Sequence, residues 1–130
     1  MILQTTLSLA AAAAVLNFWL ALRTSTVRMS AKVWQGDGGN PILLHRMRAH
    51  ANYVENTPFV LILIAAIEMT GKGGAWLAIV GALYLLARVA HAFGMDKPEK
   101  SPLRAIGFCV TVLVLLGLAV MAVLIALGRF

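Results

Sequence analysis

The sequence predicts an all-α integral membrane protein, a four-helix bundle, and three observations carry that prediction. Hydrophobic residues make up 61% of the 130-residue chain and charged residues 12%, with a mean hydropathy of +0.87. A chain of this size cannot hide so much apolar surface in one soluble core, so the excess must face lipid. The apolar residues lie in long runs broken by short polar turns. Lys and Arg flank these runs and do not cluster with aromatics, so the net charge of +6 reads as membrane-surface charge and not as a nucleic-acid footprint. The lone Cys109 has no intrachain disulfide partner and sits among Val, Leu and Phe as a small hydrophobe.

The whole chain, residues 1–130, reads as one domain with four spans. The first, about 2–22, has no basic residue ahead of it, which argues for a spanning helix and against a cleaved signal peptide. Arg23, Arg28 and Lys32 follow it and hold the N-terminus on the non-cytoplasmic side. Gly36-Asp37-Gly38-Gly39-Asn40-Pro41 marks a turn and then a helix start. In the second segment only Pro58 to Ile67 is strictly apolar, so a crossing over about 49–69 draws Arg48, Asn52 and Glu55 towards membrane depth. A turn from Glu68 to Gly74 leads to the third span, about 75–93, with Arg88 and His91 near its end. A charged loop, Gly94 to Ser101, precedes Pro102 and a last span over about 103–127. Lys and Arg concentrate in the first and third loops, which places those loops in the cytoplasm and both termini on the opposite side.

Helical spacing gathers the polar residues. Arg48, Asn52 and Glu55 stand at i, i+4 and i+7 on one stripe, with His45 near its edge. Tyr84, Arg88, His91 and Met95 form a second stripe on the third helix, and Arg104 opens the fourth with Gly107 three residues on. Ionisable groups at such depth are costly unless they face a bundle interior and find partners, so they are candidates for a site. The structural alternative is an Arg48 to Glu55 ion pair that merely joins helices. Arg46 faces away from this stripe and reads as a snorkelling cation. Several Arg, one Glu, one Asn and a His suit an anionic ligand that is also zwitterionic. No metal is expected, since His45, His50 and His91 lack the ligand spacing of helix-borne sites, and neither a phosphate-cradling glycine motif nor a Ser-His-Asp set is present.

The stretch Arg48-Ala49-His50-Ala51-Asn52-Tyr53-Val54-Glu55-Asn56-Thr57-Pro58-Phe59 resembles the signature of the membrane-associated proteins in eicosanoid and glutathione metabolism, the MAPEG family. Arg88-Val89-Ala90-His91, Pro102-Leu103-Arg104 and the Gly36-Asp37-Gly38-Gly39 loop extend the likeness, the loop towards small bacterial members. The resemblance implies a homotrimer in a bacterial inner membrane that binds glutathione as co-substrate between neighbouring subunits near the cytoplasmic side. It further implies that Arg48, Asn52 and Glu55 hold the carboxylates and amino group, with Arg88 and His91 contributing to the site. Arg28, or alternatively Arg23, is the first-helix arginine that reaches the tripeptide, and Arg104 is the catalytic arginine beside the thiolate. Met95 stands where the prostaglandin-forming branch has tyrosine, Ala105 where the family has serine, and His45 where eukaryotic members keep arginine. The binding shell therefore matches more fully than the reacting end.

Two functions of different class follow. One is a glutathione-dependent transferase or peroxidase whose arginine-stabilised thiolate meets a lipophilic second substrate arriving through the bilayer. The other is a non-catalytic membrane sensor or carrier of glutathione or a similar small acidic amphiphile. A small multidrug exporter is disfavoured, because the first span carries no ionisable residue.

Overall fold

The computed structural model describes all 130 residues and contains four helices and no strand: α1 (Gln4–Ala31), α2 (Pro41–Met69), α3 (Ala75–Met95) and α4 (Pro102–Ala126). Pro41 and Pro102 both stand at the first helical turn, where the missing N–H costs nothing. Asn40 caps α2 by accepting from the amides of Ile42 and Leu43. α1 runs well past the apolar stretch that marks it in sequence, because helicity continues through Arg23 and Arg28 after hydropathy has stopped. Arg28 then closes the following turn by donating to the carbonyls of Val33 and Gly36.

Neighbours in sequence pack antiparallel. Glu68 at the end of α2 meets Thr5 and Thr6 at the start of α1. Further along, Tyr53 Oη donates to the Ala13 carbonyl at 2.6 Å and His50 Nε2 pairs with Asn17 Oδ1 at 2.8 Å. Thr57 and Tyr84 share a hydroxyl bond of 2.9 Å between α2 and α3, and Arg88 reaches Thr111 between α3 and α4. The result is an up-down-up-down bundle with both chain termini at one end and the first and third loops at the other.

Three helices, α1, α3 and α4, are long and apolar enough to cross a membrane. α2 is excluded on composition by the same polar stripe that singled it out in sequence. Yet its pairing with α1 from Glu68 to Arg46 places it at the same depth along its length. Only 23 of 130 residues are buried, so most of the apolar side chains point outwards, as a lipid-facing bundle requires. α4 is the extreme case: among its residues only Gly107, Thr111 and Leu118 are buried.

Two glycines set how closely α3 and α4 approach. A Cβ on Gly107 would lie 2.5 Å from the His91 Cβ and 2.7 Å from the Ala87 carbonyl oxygen. A Cβ on Gly94 would lie 2.2 Å from the Arg104 amide nitrogen. Backbone meets backbone at both points, the small-residue packing by which membrane helices gain contact without a hydrophobic drive.

Candidate functional site

At the end where α1 and α3 finish and α2 and α4 begin, a cavity of about 550 Å³ opens between α2, α3 and α4. Arg48, Asn52 and Glu55 line it from α2, His91 and Met95 from α3, and Arg104, Ala105 and Phe108 from α4. Lys100 and Ser101 close it from the loop before α4. The stripe read from helical spacing on α2 is thus one wall, and the first turn of α4 is the wall across from it.

Arg48, Glu55 and Arg104 are exposed in the single protomer. Arg48 and Glu55 do not pair: the ion pairs of the fold join Asp96 to Arg23 and to Arg46. The simple reading of Arg48 and Glu55 as a helix-joining bridge is therefore not what the protomer forms. Both charges remain free to meet a ligand.

Arg88 lies one layer behind. It is 1% exposed and does not reach the cavity surface. Its Nη1 donates to Thr111 Oγ1 at 2.9 Å, and its Nη2 donates to Asn52 Oδ1 at 2.5 Å and approaches His91 Nδ1 at 3.4 Å. Thr111 in turn donates to the Gly107 carbonyl. This chain orients the wall. Because Asn52 Oδ1 accepts from Arg88, the Asn52 amide nitrogen is left to donate outwards, and His91 Nδ1 as acceptor leaves the proton on Nε2. Arg88 thus braces Asn52 and His91, the two cavity-lining side chains it touches.

Arg28 stands apart from this cavity in its own protomer. Its guanidinium is committed to Val33, Gly36 and the Met47 sulfur. Arg23 is likewise engaged elsewhere, with Asp96. No group of three His, Cys, Asp or Glu side chains converges anywhere in the fold.

Lys100, Ser101 and Phe108 are among the lining residues that sequence reasoning did not single out. Lys100 and Phe108 carry no periodic signal, being on a loop and on a helix apolar on every side. Ser101 is the most informative: its hydroxyl is buried in the cavity wall and has no hydrogen-bond partner. The one available hint was its place immediately before Pro102, where a serine usually caps the helix; here it makes no cap bond.

The fold and the cavity define a class, that of all-helical membrane bundles with a cation-rich cavity and one unpaired carboxylate at one end of the bundle. The comparison with known families makes it specific: the model described as the MAPEG family matches residues 6–124, and the chain belongs to that family. It is also 34% identical over 85 residues to the inner membrane protein YecN of Escherichia coli, in strain K12 and in strain O6:H1 alike. That match covers 62% of this chain and 65% of the relative, just under two thirds of the relative's length.

Proposed function

We propose that the protein is a glutathione-dependent transferase or peroxidase of the inner membrane, acting on lipophilic electrophiles or hydroperoxides. The observation that carries this reading is the cavity itself, in which Arg48, Glu55 and Arg104 stand unpaired around a volume of about 550 Å³, within the range of small-molecule sites. Family membership supports the ligand class, and the inner-membrane relative supports the location.

The donor set fits the tripeptide. Arg48 suits a carboxylate, Glu55 suits the ammonium, and the outward Asn52 amide and the unpartnered Ser101 hydroxyl suit peptide groups. When bound, glutathione supplies the thiol that attacks the electrophile. Arg104 stands opposite the α2 wall and holds the sulfur as thiolate. An ordinary thiol with pKa ~8.5 becomes a ready nucleophile near neutral pH beside such a fixed cation. The exposed charges need a neighbour to shield them from lipid, so the protomers close into a homotrimer in which the next subunit brings its first-helix arginine, Arg28, towards the ligand. The first and third loops face the cytoplasm, where the Lys and Arg around them belong.

The test is a thiolate difference spectrum of detergent-purified protein titrated with glutathione. Saturable thiolate formation, lost in Arg104→Ala while affinity persists, supports the enzyme. Losing a partly desolvated cation raises the bound thiol's pKa by roughly one to three units, at about 1.4 kcal/mol each, so conjugation recovers as pH is raised. Binding without a thiolate spectrum favours the carrier or sensor, and absence of binding removes both.

A further inference from the structure

On the opposite face of α3 from His91, α1 and α3 leave a second groove of about 620 Å³ whose lining is entirely hydrophobic. Leu9, Leu16 and Trp19 form one side and Leu85, Leu86 and Phe93 the other. From Leu9 to Trp19 the helical rise amounts to ~15 Å, which is the hydrocarbon depth of one leaflet. The groove ends under a cation. The Arg23 guanidinium lies 4.8 Å from the Trp19 ring centre and 5.3 Å from that of Phe93, the two aromatics that finish its walls. Arg46 joins there, donating Nη1 to the Arg23 carbonyl.

Asp96 pairs with both guanidiniums, so two positive charges share one negative charge. Arg23 Nη1 is buried without any hydrogen-bond partner, while Arg46 Nε lies 3.7 Å from Asp96 Oδ1 in its ion pair. Two guanidiniums with one carboxylate leave one positive charge uncompensated at the membrane interface, and a headgroup phosphate would balance it. An apolar slot of leaflet depth ending in two guanidiniums that share a single carboxylate has the shape and charge of an anionic lipid.

We infer that this groove is a binding site for an anionic phospholipid, with one acyl chain along α1 and α3 and the phosphate at Arg23 and Arg46. The site is separate from the glutathione cavity: the two share no lining residue. It stands whether or not the protein is an enzyme.

Trp19 in the wall provides the readout. The full chain carrying Trp34→Phe and Trp76→Phe, which leaves Trp19 as its tryptophan, is reconstituted in phosphatidylcholine vesicles doped with dibrominated phosphatidylglycerol or dibrominated phosphatidylcholine. Phosphatidylglycerol is expected to half-quench Trp19 at an about fivefold lower mole fraction, the factor associated with one basic side chain near an anionic headgroup. Arg46→Gln should bring the two lipids level, and Arg46→Lys should keep most of the preference. Equal quenching in the parent protein overturns the site. So does an absence of quenching by either lipid, which would mean that a second copy of the chain covers the groove. Loss of the preference on adding soluble glycerol phosphate would assign the cations to a free phosphate and overturn the lipid assignment.

Discussion

Towards the end where the chain termini lie, the four helices enclose Leu9, Val60, Ile64, Ile67, Leu77 and Leu118, a core of hydrocarbon with the Tyr84 ring at its upper edge. Towards the other end the same helices enclose Arg88, His91, Asn52 and Thr111 beside a smaller apolar cluster of Leu16, Leu20, Tyr53 and Ala92. The first half is closed by a single polar device, in which the Glu68 carboxylate accepts from the Thr5 and Thr6 amides and the Thr6 hydroxyl at 2.7 to 2.8 Å. In water the apolar half would hold the fold together. In a bilayer, lipid tails are as apolar as leucine, and burial of Leu against Leu contributes packing and little else. The polar half therefore carries a larger share of the specificity of assembly, and the same residues that join the helices also shape the cavity.

The halves can be told apart by substitution. The largest effect is expected from Gly94→Leu, whose side chain has nowhere to go but into the Arg104 backbone. A displacement of the order of 1 Å at a reacting group costs about 10²-fold in rate, so glutathione conjugation should fall by about that factor while the helical content by circular dichroism stays. A Gly94→Leu protein with wild-type turnover would show that α4 adjusts freely and that the glycine approach does not set the site.

Glu55→Gln comes next. Its charge faces the cavity without a protein partner, so its loss should weaken glutathione by roughly 1.5 to 3 kcal/mol in a calorimetric titration, with thermal stability nearly unchanged. If affinity holds while the assembly loosens, the carboxylate belongs to an intersubunit contact. Thr111→Val should act more gently, since hydrogen bonds between membrane helices average about 0.6 kcal/mol. Its mark would be a modest loss of stability together with weaker ligand binding, because Arg88 then holds Asn52 less firmly. Stability loss with unaltered binding would separate the network from the cavity. Smallest, and confined to the apolar half, is Glu68→Gln: amide hydrogen exchange at Thr5 and Thr6 should quicken, with glutathione binding untouched. A change in binding there would mean that the two halves are not independent.

Much of this division was legible in the sequence, and the remainder was hidden for identifiable reasons. Pro41 and Pro102 marked helix starts, and the i, i+4, i+7 stripe on α2 forms a cavity wall as spacing implied. Arg88 shared the face of His91 on the helical wheel, but a wheel has no depth axis, and depth is what makes Arg88 a brace and His91 a wall. Gly107 stood out only as a small residue early in α4, and what it packs against, His91 and Ala87 of α3, is a tertiary fact. Gly94 read as a loop residue because its function depends on where α4 begins, which is a tertiary fact. Glu68 read as part of a turn, since nothing local reveals that the free amides it satisfies belong to a helix more than sixty residues away.

The hydrogen bonds of Arg88 also bear on how the chain enters a membrane during synthesis. A lone α3 would carry an unpaired guanidinium into hydrocarbon, at a cost that reaches ~2.5 to 3.5 kcal/mol only for a charge at the helix centre. Thr111, the Arg88 partner held deepest in the protein interior, lies on the next helix to be made. The glycines that let the two backbones touch are divided between the same pair. α3 and α4 are thus a natural unit of insertion, a hairpin that crosses with its guanidinium already hydrogen-bonded to Thr111 and afterwards receives the α2 stripe through Asn52.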